Sequence, residues 1–280
     1  MGNRSVVYYL KKTGMSTSIL ILCLFSFMNA HGQALEVGGW LGTSNYFGDL
    51  NRTMSFEYTR PGGGFFVRYN LDYRFSVKGG LNYGRVGFED QMQEDYAYHQ
   101  ARNLSFRSDV FEITGQIEFN FLKFVKGDRQ HSFTPYLLTG ISLFTFNPEA
   151  KYQGEWVDLQ RLATEGKRYP TVSGAVPIGG GFKYAITDEW TIGVEGGLRK
   201  TFTDFLDDVS DEYENIRTTA NPKGEQAKEL ADRSDEVGEP IGKKGKQRGN
   251  VLTNDEYLFV GFTLSYTLRQ VRCPNPSAKY

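Results

Sequence analysis

Eight stretches of the chain alternate apolar and polar residues with a period of two. The clearest is Asp109–Phe121, DVFEITGQIEFNF. Phe111, Ile113, Ile117, Phe119 and Phe121 share one parity, and Glu112, Thr114, Gln116, Glu118 and Asn120 share the other. Successive side chains of a strand point to opposite faces, so the stretch reads as a strand with one apolar and one polar face. Phe75–Phe88 repeats the pattern, with Phe75, Val77, Leu81 and Tyr83 against Ser76, Lys78, Gly80 and Asn82. Leu35–Thr43, Phe65–Leu71, Val172–Tyr184, Trp190–Phe202 and Tyr257–Leu268 follow suit. In Thr134–Phe146 both faces carry apolar residues, and the pattern leaves its orientation open. Most of these segments run to about twice the five or six residues of an average strand.

The connections alternate in length. Those after the second, fourth and sixth strands are short; those after the first, third, fifth and seventh are long. Short turns at one end and long loops at the other are the signature of an outer-membrane barrel. The expected fold is therefore all-β: an eight-stranded antiparallel up-and-down transmembrane β-barrel with short periplasmic turns and long extracellular loops. An even strand number places both ends of the barrel in the periplasm. A soluble eight-stranded barrel would put the apolar face inside instead. An export signal, the loop asymmetry and aromatic residues near the ends of the apolar faces favour the membrane form.

That signal is residues 1–32. Arg4, Lys11 and Lys12 precede the apolar run Ser18–Met28, which is shorter than the roughly 20 residues of a membrane helix, and small residues follow. Cleavage after Gly32, or alternatively after Ala34, leaves a barrel over 33–268 and a periplasmic tail over 269–280. The remaining chain then holds a single cysteine, Cys273, and no disulfide framework. The formal net charge of −1 implies no nucleic-acid partner. The mean hydropathy of −0.46 does not argue against a barrel, because a polar inner face dilutes the average. Outer-membrane lipids are the partner this fold expects.

Eight strands enclose a narrow interior that side chains nearly fill. The expected inward set is Glu36, Trp40, Arg68, Lys78, Arg85, Glu112, Glu118, Lys183, Glu195 and Arg199. With both signs present, it reads as a plug of ion pairs. His31, His99 and His131 lie apart from any serine–acid cluster and lack metal-ligand spacing, so no catalytic residue, metal or cofactor is expected. The acidic stretch Asp204–Glu214 reads as a solvated loop, with Ca²⁺ binding as the alternative, and Thr218–Asn250 as a mobile outer loop. In the basic tail, Arg269, Arg272 and Cys273 are candidates for docking a periplasmic partner.

Three segments carry a resemblance: GTSNYFGDLN after the first strand, EWVDLQRLATEG in the third long loop, and VPIGGGFKYAITDEWTIGVEGGLRKTFTDFLDDVSDEY over the sixth and seventh strands. Together they resemble the PorG-like outer-membrane β-barrel family, associated with the type IX secretion and gliding machinery. The resemblance implies a barrel that works with a periplasmic ring of lipoprotein and partner subunits, and not an enzyme. It implies a component that anchors or organises a secretion complex. A small pore or an OmpA-like surface-binding barrel is the alternative. The lysine- and glutamate-rich stretch after DDVSDEY falls outside the family pattern.

Overall fold

The structure, a computed structural model, describes residues 35–93, 96–214 and 224–268. Segment 1–32 and the tail with Arg269, Arg272 and Cys273 lie outside the described residues. Eight long strands form the wall: β1 (Leu35–Phe47), β2 (Arg60–Asn70), β3 (Phe75–Glu89), β4 (Ser105–Asn120), β5 (Phe133–Thr145), β8 (Val172–Ala185), β9 (Trp190–Thr201) and β10 (Glu256–Leu268). Each pairs antiparallel with the next in this order. β1 pairs with β10 from Leu35↔Leu268 to Phe47↔Glu256, which closes the sheet into a barrel without edges. The eight-stranded antiparallel barrel is thus observed.

Two further strands, β6 (Pro148–Tyr152) and β7 (Glu155–Asp158), form a hairpin after β5, and β6 adds to the top of β4. The sequence pattern did not foresee this hairpin. It also started two strands late. β2 begins at Arg60, so Gly62–Gly64 lie inside the sheet, opposite Gly42–Trp40 of β1. β4 begins at Ser105. For β5 the open orientation resolves: Leu137, Ile141 and Leu143 face out, and Tyr136, Leu138 and Phe144 face in.

The turn end of the barrel carries segments 71–74, 121–132 and 186–189. The loop end carries L1 (48–59), L2 (90–104), L3 (146–171) and L4 (202–255). L2 contains helix α1 (Ala97–Arg102), and L4 contains α2 (Gly224–Ala231) and a 3-10 turn, Ser234–Glu236. Beneath the loops an apolar core fills the barrel mouth. Val86, Phe88, Phe106, Val110, Phe144 and Tyr257 point in from the strands and pack with Leu50, Leu162, Leu206 and Leu230 from the loops. The interior is thus layered, with apolar packing at the loop end and charge below.

The described part of L4 is folded, contrary to its expectation as a mobile loop. The charged composition hides a short apolar stripe. Ala227, Leu230 and Ala231 of α2 are buried, and Arg248 is 2% exposed. The acidic stretch is likewise no solvated loop. Asp207 and Asp208 are each 1% exposed, and their carboxylates are met by tyrosine and threonine hydroxyls from other segments and by the N–H of Val209.

Candidate functional site

The outer face of the wall is an apolar belt. Leu41, Phe65, Ile141 and Phe262, at mid-height, are each about three-quarters exposed (74–77%). Aromatic pairs mark the turn-end rim: Phe75 with Phe119, Phe133 with Phe182, and Trp190 with Tyr266, at ring-centroid separations of 5.2, 6.1 and 5.0 Å. Tyr83 and Phe111, 4.8 Å apart, mark the loop-end rim. Phe75 to Tyr83 and Phe111 to Phe119 each span nine residues. A tilted strand crosses the hydrocarbon of a bilayer in about 9–11. One pleat above the belt the outer face turns charged, with Arg85, Asp109, Lys200 and Glu256.

Arg85 therefore does not join the interior set. Its odd number gives it the parity of Leu81 and Tyr83, so period two turns it outward. Its guanidinium meets Asp109 at 2.7 Å, with Tyr83 donating to the same carboxylate at 2.9 Å.

The other expected inward residues come together in the lumen. Glu118, from β4, lies among three cations: Arg68 at 2.9 Å, Lys183 at 3.1 Å and Lys78 at 3.3 Å. Arg68 also meets Glu36 at 3.1 Å, and Lys78 meets Glu195 at 2.5 Å. Nearer the loop end, Arg199 meets Glu112 at 3.2 Å, and Tyr257 donates to that carboxylate at 2.6 Å. Asn82 ties the groups together, donating to Glu112 at 2.7 Å and accepting from the Trp40 indole at 2.7 Å. Gly64 makes room for that pair, since a Cβ there would stand 2.6 Å from Asn82 Oδ1 and 2.7 Å from Trp40 Nε1.

One member escaped the sequence reading. Lys126 belongs to the turn between β4 and β5, yet it reaches up into the barrel to Glu36 at 2.8 Å and also donates to Thr267. Phe124 of the same turn lies 5.3 Å from the Lys183 ammonium. Turn residues carry no alternation that marks a side chain as inward, so the pattern held no signal for this one. The void among Trp40, Lys78, Asn82, Gln116, Glu195 and Arg199 measures about 20 Å³, room for one water.

The loops form a crown held by two buried arginines. Arg102 of α1 binds Asp90 through Nε at 2.8 Å and Nη2 at 2.7 Å. It also donates to the carbonyls of Arg248 at 2.6 Å and Asp49 at 3.2 Å, which joins L2 to L4 and L1. Arg248 in turn meets Glu165 of L3 at 2.9 Å and the carbonyls of Asp208 and Ala231. Burial pushes the Asp90 carboxyl up, but Arg102 and His99 outweigh it and hold the group below its ordinary value.

The crown also holds a carboxyl group pair, Asp207 and Asp255, that makes no ion pair with a cation among the described residues. The Tyr46 hydroxyl oxygen is 2.5 Å from Asp207 and 2.9 Å from Asp255. One hydroxyl proton serves one carboxylate, so the second contact needs a proton from the acid. Burial, followed by the charge of Asp49, raises Asp207 well above the carboxylate range, and burial with Asp207 does the same to Asp255. Burial also lifts Asp204 to about 7 and Asp208 to about 6, the latter against the pull of Arg248. Among the described residues no group of His, Cys, Asp and Glu has a metal-holding arrangement.

A closed barrel with ions inside, an apolar belt outside and a packed crown defines a barrel of membrane-protein polarity. The chain belongs to the DUF6089 family, described as a domain of unknown function, which it matches over residues 15–222. No curated protein matches it in sequence. In structure it is similar to the N-terminal β-barrel domain of Pseudomonas aeruginosa OprF, at 9% identity and a TM-score of 0.36, covering 84% of this chain and 97% of that one. It is similar to Neisserial surface protein A at 10% identity and a TM-score of 0.44, over 84% and 99% of the two chains. The attachment invasion locus protein Ail of Yersinia pestis gives 10% identity and a TM-score of 0.41, over 85% and 100%.

Proposed function

We propose that this protein is an outer-membrane β-barrel that anchors or organises a protein-secretion complex of the type IX kind, and that it is not an enzyme. The observation that carries the membrane part is the belt. Its nine-residue height, aromatic rims and charged upper border fit a bilayer, whereas a soluble protein rarely exposes so large an apolar surface. In this orientation the crown faces outward and the turns face the periplasm. The secretion part is supported by the three segments that resemble PorG-like barrels, and by a lumen whose ion pairs leave a void of only about 20 Å³ among the described residues, which suits a scaffold better than a channel.

Mild-detergent purification followed by mass spectrometry tests the reading. Co-recovery of periplasmic ring lipoprotein and partner subunits is the expected result; their repeated absence under crosslinking would remove the secretion role and leave the barrel. The pore alternative predicts discrete conductance steps in planar bilayers. The surface-binding alternative draws on one observation, the rigid crown. It predicts ligand binding that is lost on trimming the loops while secretion survives.

A further inference from the structure

The crown contains a cleft on its outer side that the scaffold role leaves without an occupant. L1, L2 and L4 meet there around Arg52, Tyr98 and the segment Lys246, Gln247, Arg248 and Gly249, and enclose about 240 Å³. This open space suits a ligand the size of one sugar ring and is too small for a folded peptide segment.

The polar rim is cationic. Arg52 is 43% exposed and commits Nη2 to Asp49 at 3.1 Å. Asp49 also accepts the Asn250 N–H at 2.7 Å, so its charge is largely engaged inward. Lys246 is exposed and makes no ion pair among the described residues; Lys243 stands three positions before it in the same run. Arg248 forms part of the lining, but Glu165 and Asp208 offset its charge.

Tyr98 supplies a flat wall. Its hydroxyl donates to the Gln247 carbonyl at 2.5 Å, which fixes the ring. The buried Arg102 guanidinium lies 5.8 Å from the ring centroid, yet Tyr98 remains 46% exposed. An exposed aromatic face beside two cations suits a ligand with an apolar C–H face and an anionic substituent. Pyranose rings bearing a carboxylate or phosphate have this form.

We propose that the cleft binds one acidic sugar unit of a glycan, with its anion between Arg52 and Lys246 and its ring against Tyr98. The site is independent of the secretion role, because it lies at the opposite end of the barrel from the periplasmic turns.

The test uses the folded full-length barrel in nanodiscs, titrated calorimetrically with glucuronate, glucose 6-phosphate and glucose. Saturable binding of at least one acidic sugar and none of glucose is expected, and the two acidic probes show which anion the cleft takes. Arg52→Gln and Lys246→Gln should each weaken binding about tenfold, the scale of one lost charge-assisted bond. Lys167→Gln should change nothing, since Lys167 pairs with Asp211 and does not line the cleft. Heat-modifiable migration of each variant on gels confirms that the barrel is folded. Absence of saturable binding by both acidic sugars, equal binding of glucose, or unchanged affinity in folded Lys246→Gln would each overturn the proposal.

Discussion

At the scale of single residues, Glu118 has the largest role in the lumen. It is 0% exposed and meets Arg68, Lys78 and Lys183. Replacing it by alanine leaves three buried cations with too little counter-charge. Breaking a buried pair from one side costs about 3–5 kcal/mol. Glu118→Ala should therefore lower the temperature at which the barrel loses its compact gel migration, and lower it more than Gln116→Leu does. Gln116 is just as buried, but its Oε1 has no hydrogen-bond partner among the described residues, so little is lost with it. The same scale holds the pH response. Asp204, Asp207, Asp208 and Asp255 have folded values raised above the ordinary 3.8. These four groups bind more protons in the folded crown than in the unfolded chain, so their contribution to stability is greatest below about 4 and is lost as pH rises through about 6 to 7, whereas Asp90, held below its ordinary value, contributes with the opposite sign at low pH. Amide hydrogen exchange in L1 and L4, corrected for the intrinsic rate, should be faster at pH 8 than at pH 5. Asp207→Asn should flatten the dependence.

At the scale of elements, β4 separates the two faces. Ile113 is 65% exposed at the middle of the belt. Ile113→Arg should impair insertion by about 2–4 kcal/mol if the belt lies in lipid, read as the fraction of folded barrel on gels. Normal insertion of this variant would count against a bilayer around the belt. L4 yields a second expectation. Arg248→Ala leaves Glu165 and Asp208 without their buried partner, so protease should cut within 224–250 much faster than in the parent, while the barrel itself stays folded. These elements also show what the sequence could reveal. Alternation located all eight wall strands and the faces of most, because lipid and lumen select opposite polarities. It failed where that contrast fades. Gly62–Gly64 carries no side chains to alternate, and β5 turns the apolar Tyr136, Leu138 and Phe144 inward as well as apolar residues outward. Arg85 carries a charge like those of the lumen but the parity of the outer face, and parity decides its direction. The crown was illegible for another reason. Arg102 and Arg248 look like any surface arginine until segments nearly 150 residues apart are brought together.

At the scale of the molecule, the lumen charges come from six strands and one turn. Glu36 sits on β1, Arg68 on β2, Lys78 on β3, Glu112 and Glu118 on β4, Lys183 on β8, Glu195 and Arg199 on β9, and Lys126 in the turn. This distribution bears on how the barrel is assembled. Lys183 and Arg199 find their carboxylates 65 and 87 residues earlier in the chain, across the lumen and not on the neighbouring strand. A sheet that has added its strands but has not curled shut holds these charges on one face, many of them unmatched. The apolar face can enter lipid at that stage, but the charged face cannot. The pairs that reach across the lumen then form only as the ring closes, so partly built intermediates are penalised relative to a nearly finished cylinder.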